Sequence, residues 1–342
     1  MPQLGRNAQA LRGGMTMRRA ASFHRRAVPR RQRGIALILA LWLTVMLTVI
    51  ASGFAFSMRN EALAARNMIS MSQARAAANG AIERTVFEMS RTATPETWKR
   101  DGTPHTWKDG DVSLVASATD ESARIDLNSA NEALLRSLFI NVGGADPELA
   151  AHIADAIQDW RDGDDLKRPN GAEEADYRAA GLKYKPANAN FETVSDLARV
   201  MGVTPAIYAR VADTLTVHSR QAGINPLTAP RSVLLALPNT TPEMVDAYLA
   251  LRGDALKGNQ PAPAFPPAVG FSSGAGPVWR VRAVATLPDG VTFAREAVVN
   301  PSGDVRRPFV ALAWLDQISP EPGNAAAGTA AADDKEKSNG RP

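Results

Sequence analysis

No cysteine occurs among the 342 residues, which excludes disulfides, thiolate metal sites and a cysteine nucleophile. Histidine is scarce as well: His24, His105, His152 and His218 are scattered, and none stands in a metal or nucleophile motif. Aromatic residues make up only 6% of the chain, so no aromatic-rich groove accompanies its carboxylates and glycoside chemistry finds no support. These absences argue for a protein that is not an enzyme.

Acidic residues are missing from the first 34 positions, which carry nine arginines. Charge of either sign is missing between Gly34 and Arg59. About 20 apolar residues in a helix cross a hydrocarbon core ~30 Å thick, so residues 35–58 read as one transmembrane helix. The positive-inside rule keeps the arginine-rich end cytoplasmic and puts the bulk of the chain on the far side. An ordinary secretory signal has an apolar region of about 7–15 residues followed by a small-residue cleavage site. Here the candidate cut precedes the apolar run.

The pI near 9.5 points toward nucleic acid only while those arginines are counted. Without residues 1–34 the chain holds 30 basic against 35 acidic residues, a balance near −5 that does not suit general phosphate-backbone binding. Its hydrophobic fraction of 45% leaves room, beyond the anchor, for one large or two modest domains.

From Arg59 to about Met89 the chain is rich in alanine and free of proline, so anchor and stem read as one long helix. Leu63, Ala74, Ala78, Ile82 and Val86 recur roughly at helical spacing, a stripe suited to packing on a sheet. Residues 106–118 alternate and end in Val112-Ser113-Leu114-Val115-Ala116, a strand signal after the turn Lys108-Asp109-Gly110-Asp111. Residues 278–285 and 291–299 flank Leu287-Pro288-Asp289-Gly290 as a hairpin, and 309–315 supply a last strand. Residues 125–255 between these β regions are mostly helical and read as an insertion. Pro261, Pro263, Pro266 and Pro267 mark the loop that returns from it. Residues 318–342 hold scarcely an apolar anchor and read as a disordered tail.

An internal echo runs through the insertion. Arg124-Ile125-Asp126-Leu127-Asn128-Ser129-Ala130 is matched by Gly223-Ile224-Asn225-Pro226-Leu227-Thr228-Ala229, and each copy leads into an apolar helix. Thr193–Pro205 adds a capped helix, a glycine stop and a Thr-Pro restart. These units resemble helix-hairpin-helix modules, some of which bind DNA through a Gly-hydrophobic-Gly hairpin. The hairpins here, Asn141-Val142-Gly143-Gly144-Ala145 and Pro238-Asn239-Thr240-Thr241-Pro242, lack that motif.

The densest polar run is Asp159-Trp160-Arg161-Asp162-Gly163-Asp164-Asp165, followed by Pro169-Asn170-Gly171-Ala172-Glu173-Glu174 and Pro186-Ala187-Asn188. Hard oxygen donors on a Gly/Pro loop suit calcium, which takes six to eight oxygens at about 2.3–2.6 Å. The spacing is not that of an EF-hand, and a solvated acidic loop satisfies the same pattern.

Arg30-Arg31-Gln32-Arg33-Gly34 running into Ile35 resembles the class III leader of type IV prepilins and pseudopilins. That likeness implies cutting by a prepilin peptidase between Gly34 and Ile35, and methylation of Ile35. Such subunits usually carry glutamate at the fifth mature position, where this chain has Leu39. A subunit without that carboxylate resembles the K-type minor pseudopilin of type II secretion, and burying Leu39 in a membrane carries no charge penalty. The run from Asp159 through Tyr177, Tyr184 and Phe191 is similar to the domain inserted in that family.

The resemblance implies an α+β fold: a pilin-like N-terminal helix on a small antiparallel sheet, built from 59–124 and 256–317, with a helix-hairpin-helix or SAM-like domain inserted. It implies calcium held by Asp162, Asp164, Asp165, Glu173 and Glu174, with Asp159 and Asn188 as further candidates. The implied partners are I- and J-type minor pseudopilins, the major pseudopilin, the prepilin peptidase and the inner-membrane secretion platform, with no nucleic acid. The protein would sit in the inner membrane with a periplasmic domain and cap the pseudopilus tip. The alternatives are a minor pilin of a surface fibre, an anchored periplasmic DNA-binding protein and an anchored hydrolase.

Overall fold

The computed structural model describes residues 33–91, 97–258, 260–304 and 306–317. The leader up to residue 32 and the tail 318–342 lie outside these residues. The chain divides into two compact units, Met1–Ala65 and Arg66–Pro342.

Helix α1 spans Arg33–Ser90, as expected of a proline-free run whose alanines lose little side-chain entropy in a helix. Its apolar beginning is exposed on all sides, from Ile35 and Leu39 to Phe54 and Phe56. It is long and apolar enough to cross a membrane. Leu63 does not join the core stripe; it is exposed.

In the second unit, Ala74, Ala78, Ala81, Ile82 and Val86 of α1 are buried against a five-stranded antiparallel sheet. The strands are β1 (His105–Asp109), β2 (Val112–Asp120), β5 (Trp279–Thr286), β6 (Thr292–Asp304) and β7 (Arg307–Gln317). Their order is β1-β2-β5-β6-β7. Side chains alternate across the sheet, so Leu114, Ala116 and Ala118 of β2 share the α1 face with Val281, Ala283 and Ala285 of β5. Small residues on both layers let the helix lie close to the sheet. The β1–β2 and β5–β6 turns rest on Gly110 and Gly290, whose positive φ a β-carbon would oppose.

Neighbouring strands β2 and β5 are separated in sequence by all the remaining elements. These are β3 (Ile125–Asp126), α2 (Glu132–Asn141), α3 (Pro147–Arg161), α4 (Glu174–Ala179), α5 (Pro205–Val211), β4 (Leu215–Thr216), α6 (Arg231–Leu235) and α7 (Pro242–Lys257). They surround a core of their own, which includes Leu127, Leu134, Leu138, Phe139, Ile153, Ile157, Trp160 and Tyr177. That core continues past residue 255 to Phe265 and Ala268.

Helices α3, α5 and α7 each start with proline at the first turn behind an Asp or Thr cap: Asp146, Thr204 and Thr241. Proline forfeits only a donor that would be unpaired there.

The sequence echo is a repeat in space. Asp126 Oδ1 accepts from Asn128 N at 2.8 Å, and Asn225 Oδ1 accepts from Leu227 N at 3.1 Å. Each turn is then gripped by an arginine from the second helix of its own hairpin. Arg161 of α3 donates to the carbonyls of Leu127 (2.5 Å) and Ala130 (2.8 Å). Arg252 of α7 donates to those of Pro226 (2.8 Å) and Ala229 (2.7 Å).

Candidate functional site

The acidic run begins on α3 and folds back over it. His152, Asp155 and Asp159 stand three and four residues apart, on one face of the helix, and together they hold the backbone of residues 168–172. His152 Nδ1 donates to the carbonyl of Asn170 at 2.5 Å. Asp155 Oδ2 accepts from the Asn170 backbone (3.0 Å) and side-chain amide (3.1 Å). Asp159, fully buried, accepts from Arg168 N at 3.3 Å on each oxygen and from the backbone of Ala172.

Gly171 passes directly over that carboxylate: a β-carbon there would stand 1.9 Å from Asp159 Oδ2. The carboxylate and the missing side chain fix each other.

This clamp delivers Glu173 to the inside of the loop. Glu173 is 6% exposed, and neither of its side-chain oxygens has a hydrogen-bond partner. Burial, followed by the charges of Asp159, Asp162, Asp165 and Asp164, raises its pKa to about 7. Asp162 also has a buried, unpartnered oxygen, Oδ1, and burial, then Asp164, pushes its pKa up. Burial raises Asp159 too, against the pull of its backbone donors. Asn188, at φ +47, donates to the carbonyl of Asp164 (3.3 Å) and to Asp165 Oδ1 (3.0 Å). Four aspartates therefore crowd Glu173, with Asn188 on the rim.

Glu174 stands apart from them. As the first residue of α4 it turns outward, pairing with Arg178 (2.5 Å) and Lys185 (3.0 Å), and Lys185 foremost holds its pKa down. Already neutralised by two cations, it is a poor choice of ligand.

The orphaned oxygens of Glu173 and an all-oxygen donor set match the chemistry of a hard cation. The carboxylates share a neighbourhood without closing on a point: among the described residues, no three Asp, Glu or His side chains are grouped so as to hold a metal ion. Asp155 escaped the sequence reading, which named His152 and Gly171 without giving either a role, although the helical spacing of His152 and Asp155 from Asp159 was there to find.

Of the processing residues, Gly34 and Ile35 lie in the first turn of α1, and Leu39 one turn further on is exposed.

The family model for type II secretion system protein K matches residues 113–220. The type II secretion system protein K of Klebsiella pneumoniae is 27% identical over 229 residues, covering 60% of this chain and 70% of that protein. Its counterpart in Pseudomonas aeruginosa is 27% identical over 248 residues, covering 66% and 73%. A chain in the crystal structure of the GspK-GspI-GspJ complex from enterotoxigenic Escherichia coli shares the fold, with a TM-score of 0.52 at 16% identity over 77% of this chain and 99% of that one. These likenesses do not favour the pilus-fibre or DNA-binding alternatives. The matched stretch runs from β2 through the acidic loop to the segment after β4, and the shared fold extends to the helix and sheet on either side: over this stretch the chain is similar to protein K of type II secretion systems.

Proposed function

We propose that this chain is a minor pseudopilin that caps the tip of the pseudopilus together with I- and J-type minor pseudopilins and so supports export of folded proteins. The observation that carries this reading is the helical block placed between adjacent strands β2 and β5. It adds a bulky body to a pilin-like helix and sheet, and such a body suits the last subunit of a filament. The protein K relatives are secretion components and the chain carries no catalytic motif, so the protein acts by assembly and not by turnover. On this reading the leader is cytoplasmic, α1 anchors the protein in the inner membrane and the second unit is periplasmic. Cleavage at Gly34-Ile35 and methylation of Ile35 complete its maturation, and Leu39 leaves no buried charge that demands a partner above it.

Calcium belongs to the same proposal. Asp162, Asp164, Asp165 and Glu173 would hold it, with Asp159 and Asn188 behind them. It would supply the positive charge that Glu173 lacks, since the nearby Arg168 stands 3.7 Å from Asp159 instead, and would brace a chain without disulfides.

The deciding experiment is the N-terminal mass of the membrane-extracted protein, produced with and without a prepilin peptidase, together with its co-purification with I- and J-type pseudopilins. A start at Ile35 that depends on the peptidase, with both partners retained, supports the reading. An uncut leader or an isolated chain defeats it.

A further inference from the structure

The two hydrophobic cores meet across a buried ionic centre, not an apolar seam. Glu121 sits in the 3-10 turn Glu121–Ala123 that follows β2, fully buried. It receives a two-pronged bond from Arg280 of β5: Nη2 to Oε1 at 2.6 Å and Nε to Oε2 at 2.9 Å. Thr216 of β4, on the helical block, donates its hydroxyl to the same Oε1 at 2.5 Å. Arg280 also donates to Glu296 of β6. Since Val281, Ala283 and Ala285 face α1, Arg280 lies on the opposite face of the sheet.

The backbone is stitched at the same place. Glu121 N donates to Val278 O at 3.0 Å, Asn225 N donates to Ser122 O at 2.7 Å, and Asp120 accepts from Gly276 N at 3.2 and 3.1 Å. Both crossings between sheet and helical block are thus held within a few residues of Glu121.

An apolar seam tolerates sliding because dispersion and desolvation have little direction. A buried fork on a carboxylate has one geometry, and its contribution to net stability is small once desolvation is counted. We infer that the Glu121–Arg280 pair is a positioning device that fixes the orientation of the helical block on the sheet, and so the face that the tip presents to its partner subunits. The last clause rests on the proposed function; the orientation itself does not.

The test uses the full chain in lipid nanodiscs. Because the protein has no cysteine, single cysteines at exposed Lys108 and Arg136 take spin labels cleanly, and the distance distribution between them is read by pulsed electron resonance. Wild type should give one narrow distribution. Glu121→Leu with Arg280→Met leaves Glu296 and the Thr216 hydroxyl without these partners, so it should lower the Tm by a few degrees at most while broadening the distribution about twofold or more and reducing capture of I- and J-type partners. An unchanged width in this variant overturns the inference, and so does broadening that appears only with a collapse in Tm. Should the double variant fail to fold, Arg280→Lys, which keeps the charge and loses the fork, is judged by the same criteria. If wild type captures no partners, the functional reading fails, while the widths still decide the positioning role.

Discussion

Replacing Glu173 by glutamine should stabilise the protein in chelator and destabilise it, relative to wild type, in calcium. The side chain is buried, its two oxygens lack donors, and four aspartates crowd it. Its pKa rises from 4.5 to about 7, so the folded state prefers the protonated form. That preference is complete below the unfolded value of 4.5 and is lost as pH climbs through about 7. At pH 8 in chelator, wild type therefore carries an uncompensated charge worth on the order of 1–3 kcal/mol after solvent screening. The carboxamide removes that charge with almost no change of shape. In a body of this size the gain amounts to roughly 2–12 °C in Tm.

With calcium at a hundred times its Kd, wild type should recover about 2.7 kcal/mol, and the variant, having lost a charged ligand, should recover less. The assay is thermal unfolding of the full-length protein in detergent, followed by far-ultraviolet circular dichroism at pH 5 and pH 8, with EDTA or with calcium. In EDTA, wild type should melt lower at pH 8 than at pH 5, and the variant should show a smaller difference. A variant that melts below wild type in EDTA at pH 8 would refute the electrostatic account. A wild type indifferent to calcium would refute the metal.

Gly171→Ala forces a β-carbon to 1.9 Å from Asp159 Oδ2, and overpacking of this kind costs about 1–3 kcal/mol. Gly163→Ala in the same loop meets nothing within 4 Å, so a Tm drop confined to the first variant is the expected result; equal melting of the two would contradict the clamp. Glu174→Ala removes only solvent-side pairs with Arg178 and Lys185, and its calcium response by calorimetry should match wild type, whereas Asp162→Ala should blunt it. Arg161→Lys and Arg252→Lys each give up a two-carbonyl grip and should each lose about 1–3 kcal/mol in denaturant melts. If only one of them matters, the two turns are not energetic equivalents.

Local chemistry was legible wherever the signal lay within a few residues. The charge-free run after Gly34, with no proline through Ser90, determined α1. An Asp-Gly turn located the β5–β6 hairpin, the turn at Asp109-Gly110 marked the start of β2, and Asp126 and Asn225 wrote the same turn twice. Proline behind a Thr or Asp cap set the starts of α3, α5 and α7.

Other features depended on where distant segments met. Leu63 has the spacing of a core residue yet stays exposed, because periodicity records a face and not what covers it. Glu173 and Glu174 are neighbours of the same chemistry. The start of α4 turns one inward among aspartates and the other outward to Arg178 and Lys185. Glu121 and Arg280 are 159 residues apart, and nothing near either announces its partner. Sequence determined the elements, because backbone sterics, caps and apolar period act over one or two turns. The tertiary structure alone decided which strands became neighbours, which aspartates gather around the buried Glu173 and which charge pair joins the two cores, because burial and desolvation are properties of packed surfaces.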